Sequence, residues 1–190
     1  MKRVATASVL ALAHQPQVVW ITGLSGAGKS TIARRVVERL RSRGLPTLLL
    51  DGDDVRLAIA DSSIGHDRAS RLTNAMRIAR LAKLLSEQGF VVVVPTMSLF
   101  REVHLWNREQ LPNYLEVWLQ VSLEVLRQRD ARGLYSRAAR GEASDVVGIH
   151  VDYDEPKEAH LVLRNEQGEA GLEDLVRQIV TRIGAECHPV

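Results

Sequence analysis

Residues Gly23-Leu24-Ser25-Gly26-Ala27-Gly28-Lys29-Ser30 follow the spacing G-x-x-x-x-G-K-[ST]. Glycines at these positions let backbone N–H groups turn inward around phosphate oxygens. A helix starting at Thr31 adds its positive dipole end to the same spot. Lys29 has the length to reach the β- and γ-phosphates of a nucleotide, and the Ser30 hydroxyl suits a Mg²⁺ ion. Gly23, Ser25, Gly26, Ala27, Gly28, Lys29, Ser30 and Thr31 are therefore the expected contacts to a nucleoside triphosphate. The bland alternative is a glycine-rich turn with a solvated lysine. The flanks argue against it: the apolar run Val18-Val19-Trp20-Ile21 precedes the loop and an amphipathic stretch from Thr31 to about Arg43 follows it.

Carboxylates come next. Asp51 and Asp53 stand two residues apart just past an apolar run, so both can face the phosphate loop. Phosphoryl transfer needs in-line positioning and charge neutralisation more than covalent chemistry. A carboxylate beside the acceptor hydroxyl takes or orients its proton. Asp53 is expected at that hydroxyl, Asp51 nearer the metal; the alternative is an Asx turn closing the strand. Arg71 and Asn74 are three apart on a predicted helix and share a face. That face suits an anionic group plus a base or ribose edge, or it is simply solvated. Arg127, Arg129, Arg132, Arg137 and Arg140 cluster in a stretch without steady periodicity, 131–157, which reads as a mobile lid. Arginines in a lid neutralise developing charge. The alternative is a basic surface helix.

These residues need a scaffold. Thr47–Leu50, Phe90–Val94, Tyr114–Val121 and His160–Leu163 read as further strands, the second a β-branched run of the kind covered on both faces. Between them fall a short helix and loop over 57–66, a long helix from about Asp67 to Gln88, and short helices over Arg101–Gln110 and Ser122–Arg129. A terminal helix spans Leu172–Ile183. Strand–helix alternation implies an α/β fold, a parallel sheet with helices on both faces, in which ligands sit beyond the carboxyl ends of the strands. Trp20 and Trp118 lie in strand runs and read as core.

The chain has 190 residues, enough for one domain over 1–190 with a full core. A formal charge of +2 gives no argument for a nucleic-acid partner, and the aromatics form no stacking platform. No run approaches the ~18 apolar residues of a membrane span. The single cysteine, Cys187, allows no intrachain disulfide, which fits a cytoplasmic location. Lys2-Arg3 followed by Val4–Ala13 loosely resembles a signal peptide, but a short N-terminal helix is the preferred reading. The histidines lack metal-ligand spacing, so no structural metal is expected.

Taken together, the motifs resemble the adenylylsulfate kinase family over nearly the whole chain. The resemblance rests on Val19–Thr31, Asp51-Gly52-Asp53-x-Val55-Arg56, Arg71-x-x-Asn74 and Ser98-x-Phe100-Arg101. It continues through Gln128-Arg129-Asp130-x-x-Gly133-Leu134-Tyr135 and Gly148-Ile149 followed by Tyr153 and Pro156. The resemblance implies a three-layer sandwich with a five-stranded parallel sheet, a P-loop fold of the nucleotide-kinase type, usually dimeric. It implies Mg²⁺ and ATP as cofactors and a small nucleotide as substrate, phosphorylated on its ribose 3′-hydroxyl. It places Asp53, Arg56, Arg71, Asn74, Ser98 and Arg132 against that substrate and Arg129 beside ATP. Ser98 matches a serine sometimes described as phosphorylated; a positioning hydroxyl is the simpler role.

The departures fall on the acceptor side. The family usually holds its adenine between two phenylalanines; here those positions read His66 and Val146. Base stacking on an aromatic face is worth ~1–3 kcal/mol. Asp54 replaces an asparagine, and the loop Pro95-Thr96-Met97-Ser98-Leu99 differs, which puts Met97 at the acceptor. These stretches resemble a divergent branch, kinases of capsule-polysaccharide pathways including the cytidine diphosphoramidate kinase type. Two acceptors thus stand side by side, adenylylsulfate and a cytidine nucleotide. A non-catalytic nucleotide-binding module is the alternative of another class. A GTPase would want an Asn-Lys-x-Asp signature, which the chain lacks.

Overall fold

A computed structural model describes residues 18–61, 65, 67–111, 113–130 and 133–184. The proposed N-terminal helix, His66, Arg132 and Cys187 lie outside the described residues. Five strands, β1 (Val18–Thr22), β2 (Thr47–Leu49), β3 (Val91–Pro95), β4 (Tyr114–Gln120) and β5 (Leu161–Arg164), form one sheet in the order β2-β3-β1-β4-β5. Every pairing is parallel, with Val19 opposite Val93 on one side and Leu115 on the other. β1 is the central strand, and the chain crosses from one side of it to the other between β3 and β4. That crossing is the switch point where open α/β sheets bind ligands.

Helices cover both faces. On one, α1 (Lys29–Arg41) and the terminal helix α7 (Leu172–Arg182) pack Ile32, Val36, Leu40, Val176 and Ile179 against Val19, Ile21, Val117 and Leu119. On the other, α3 (Arg68–Glu87) and α4 (Arg101–Gln110) pack Ile78, Ala79, Ala82 and Val103 against Val18, Trp20, Val92 and Val94. The three-layer α/β fold implied by the resemblance is the one observed. Strand side chains alternate between two covered faces, which is why β1 and β3 read as unbroken apolar runs. Both strand tryptophans, Trp20 and Trp118, are buried.

Most strand and helix ends shift by about a residue, and three elements differ by more from the sequence reading. The helix expected over 57–66 begins earlier, as α2 (Gly52–Ile59), because Asp51 accepts a hydrogen bond from Asp53 N (3.0 Å) and caps it. α1 starts at Lys29 rather than Thr31, directly on the phosphate loop. The aperiodic stretch 131–157 contains a helix, α6 (Leu134–Ala139), too short to show a period but anchored by buried Tyr135 and Ala138. It follows α5 (Leu123–Arg129), capped at Ser122, whose hydroxyl accepts from Val125 N. Among the described residues no helix is long and apolar enough to cross a membrane.

Candidate active site

The loop between β1 and α1 is shaped by its neighbours. Gly23 has φ 151°, and a Cβ there would sit 2.6 Å from the Leu119 carbonyl of β4. Gly28 has φ 94°, and a Cβ there would meet Asn165 Nδ2 at 2.7 Å. Only glycine permits both approaches. Buried Asn165, just past β5, donates from Nδ2 to the Ala27 carbonyl (2.9 Å). Tyr135 of α6 donates its hydroxyl to the Ser25 carbonyl (2.9 Å). The sequence reading assigned no site role to Asn165 or Tyr135. Their partners lie more than a hundred residues away, and no local pattern announces such a contact.

A cleft of about 490 Å³ opens over this loop. Ser25, Gly26, Gly28, Lys29, Ser30 and Thr31 line it on one side. Asp51 and Asp53 from the start of α2, Arg56 from α2, Arg71 and Asn74 from α3, and Met97 past β3 complete it. The strand ends expected to converge do so for the phosphate loop, the aspartates and the loop after β3, but the Ser122 helix, expected as the fourth, does not line the cleft, and Arg71 and Asn74 join from α3. Pro95, Thr96 and Ala75 also line the cleft and had not been singled out.

Electrostatics divide the cleft. Lys29 Nζ donates to the Leu24 carbonyl (2.8 Å). Burial pulls its pKa down to about 8, against the opposing pull of Asp53 and Asp51. Ser30 Oγ donates to Asp51 Oδ2 at 2.7 Å, while Asp51 Oδ1 holds the α2 cap. One hydroxyl and one carboxylate side by side are hard oxygen donors. Mg²⁺ typically takes one or two such ligands plus substrate phosphates and water, so these residues fit it. Asp53 is exposed to the cleft. Burial, then the neighbouring Arg56 guanidinium, lowers the pKa of Arg71. Two cations lining one cleft favour an anionic guest.

Other expected residues are placed elsewhere. Val146 is buried in the core, its carbonyl accepting from Ile149 N and His150 N to close a turn, and it does not line the cleft. Ser98 is buried outside the cleft lining, and its Oγ has no hydrogen-bond partner among the described residues. Its carbonyl accepts from Thr22 Oγ1 (3.1 Å), tying the loop after β3 to β1. The described arginines of the cluster do not converge. Arg129 donates to the Asn165 carbonyl (2.6 Å), Arg140 pairs with Glu142, and Arg127 and Arg137 are exposed away from the cleft.

A glycine loop joining the central strand of a parallel sheet to a helix, with acidic residues at the next strand end, defines a P-loop kinase. The chain belongs to the adenylylsulfate kinase family: the model for adenylylsulphate kinase matches residues 15–164. It is 37% identical to a cytidine diphosphoramidate kinase of Campylobacter jejuni, over 90% of this chain and 98% of that one. It is 40% identical to an adenylyl-sulfate kinase of Vibrio vulnificus, over 90% of this chain and 82% of that one. Among solved structures it resembles the Mycobacterium tuberculosis APS kinase in complex with AMPPNP and APS. That match has a TM-score of 0.81 and 30% identity, over 90% of this chain and 98% of that one. The protein is a nucleotide-binding kinase, a phosphotransferase.

Proposed function

We propose that the protein transfers the γ-phosphate of Mg-ATP to the ribose 3′-hydroxyl of a nucleotide, with adenylylsulfate as the family acceptor. The observation that carries this reading is the single cleft in which Lys29, the Ser30–Asp51 pair and Asp53 meet. The phosphate loop holds the ATP phosphates through its backbone N–H groups. Lys29 lies against the β- and γ-phosphates and offsets charge there. Ser30 and Asp51 would hold Mg²⁺, which when bound draws charge off the phosphate oxygens and fixes their orientation. Asp53 accepts the acceptor's hydroxyl proton as its oxygen bonds to the γ-phosphorus. The bond from that phosphorus to the β–γ bridging oxygen breaks, and ADP leaves. Arg56, Arg71 and Asn74 hold the acceptor's anionic portion and ribose. Residues 131–157 form a lid whose opening would break the Tyr135–Ser25 hydrogen bond. Two copies assemble as a homodimer.

One observation favours a second acceptor, a cytidine nucleotide such as cytidine diphosphoramidate. Among the described residues no aromatic side chain lines the main cleft, and Val146 is turned into the core. The described residues of this cleft thus offer a purine no aromatic face of the kind the family usually provides. A coupled ADP-release assay with Mg-ATP tests both acceptors at equal concentration. Turnover with at least one is expected, and Asp53→Asn is expected to lose most of it while still binding ATP. ATP binding with no turnover on either acceptor would favour a regulatory module instead.

A further inference from the structure

Beside the main cleft lies a narrow slot that shares Arg71 and Met97 with it. One wall is the loop after β3, with Met97, Leu99 and Phe100. The other is the turn carrying Val147, Val151 and Tyr153. The walls are stitched together: Asp154 N donates to the Leu99 carbonyl (3.1 Å), and Arg101 N donates to Asp154 Oδ2 (3.1 Å). Val147 and Val151 form an isolated parallel bridge, so the second wall is itself an ordered turn. The slot's free volume is only about 20 Å³.

Three charged side chains, Arg68, Arg71 and Asp152, line these otherwise largely apolar walls. Arg68 places its guanidinium over the Phe100 ring, 5.4 Å from the centroid. That stack presents a flat cationic face of the kind on which bases stack. Asp152 is the one acid among them; it is exposed at the slot's rim, and no hydrogen bond or ion pair engages its carboxylate among the described residues. The Asp154 carboxylate, two residues on, is by contrast spent on Arg101 N and lies 3.9 Å from Arg68. An unspent carboxylate is an acceptor that matches an exocyclic amine, as Asp and Glu accept from cytosine N4.

We propose that this slot holds the acceptor's base, admits a single ring in preference to fused rings, and uses Asp152 to read an exocyclic amine on it. The inference rests on the proposed nucleotide acceptor and narrows it to an amino-pyrimidine nucleotide. At about 20 Å³ the slot admits no ring as it stands, so the size preference rests on how far its walls must part. A base enters by parting side chains, and flexible Met97 yields more readily to one ring than to two. The amine preference follows from Asp152, because the O4 of uracil would face the carboxylate oxygen with no proton between them.

Calorimetric titration of the full chain, with its ATP site saturated by AMPPNP, tests this directly. Cytidine, uridine and adenosine 5′-diphosphates serve as probes that differ only in the base. Cytidine 5′-diphosphate is expected to bind about tenfold or more tighter than the uridine compound, the scale of one charged hydrogen bond. It is also expected to bind tighter than the adenosine compound. Asp152→Asn should bring the cytidine-to-uridine ratio to within about threefold, and Asp152→Glu should restore part of it. AMPPNP affinity should be unchanged in both variants, which reports an intact fold. A ratio unmoved by Asp152→Asn, an adenosine preference, or no binding of any of the three would overturn the proposal. Those outcomes with turnover intact would spare the kinase reading. Loss of turnover on both acceptors with the base preference intact would instead overturn that reading.

Discussion

Lys29 is the residue whose charge the site depends on, and the site also weakens it. Burial brings its pKa to about 8, so the free protein sheds that proton far below the usual lysine range. ATP phosphates bind the protonated form, so kcat/KM for ATP should fall as pH rises through about 8. At saturating ATP, kcat should hold to higher pH, because bound phosphate raises the same pKa. A kcat/KM profile flat to pH 9.5 would contradict this. The phosphate-loop residues, Asp51 and Asp53 were legible in the sequence because their chemistry is set by spacing within a few residues. Val146 and Ser98 were not, because which way a turn faces is decided by tertiary contacts. Val146 spends its carbonyl closing the turn, leaving Val147 to line the slot. The five arginines were legible as a cluster, but Arg129's destination was not, because it depends on a distant partner, the Asn165 carbonyl.

At the scale of elements, the phosphate loop is held by its neighbours as much as by its own glycines. β4 presses on it at Gly23 and the end of β5 presses at Gly28. Gly23→Ala should therefore be the more damaging of the two alanine substitutions. Its Cβ would meet a backbone carbonyl, which cannot swing away, whereas at Gly28 the obstacle is a side-chain amide. Thermal unfolding and ATP titration of both variants check the order, with greater loss in Gly23→Ala expected. The strands were readable because β-branched runs covered on both faces have no other good conformation. The start of α2 was not, because Asp51-Gly52-Asp53 is equally a turn signal and a helix cap. Whether the chain winds on into a helix is decided by Val55 packing against the α3 side of the core.

At the scale of the whole molecule, strand–helix alternation announced a parallel sheet but not its order. Placing β1 between β3 and β4 is what brings the phosphate loop, the aspartates and the loop after β3 to one cleft. The same layout leaves an ionisable residue in the interior. Glu116 of β4 is fully buried, with Arg108 of α4 donating at 2.9 and 3.1 Å and His104 Nδ1 2.8 Å away. Burial raises its pKa, but His104 and Arg108 outweigh that and hold it below the ordinary value. Its stabilising share is therefore present above the unfolded carboxyl pKa and lost as pH falls through the lower, folded one. Arg108→Ala would remove the guanidinium that donates twice to buried Glu116 and should cost about 3 kcal/mol in urea unfolding at pH 7. The deficit should shrink toward acid pH. An unchanged midpoint at pH 7 would show that the pair contributes nothing.

Acceptors lacking one ribose hydroxyl check the proposed delivery of phosphate to a 3′-hydroxyl held at Asp53. With whichever acceptor turns over, the 2′-deoxy analogue should still be phosphorylated with Mg-ATP. The 3′-deoxy analogue should bind and inhibit without releasing ADP above background. Sustained ADP release with a phosphorylated product from the 3′-deoxy analogue would place the transferred group elsewhere and contradict the account.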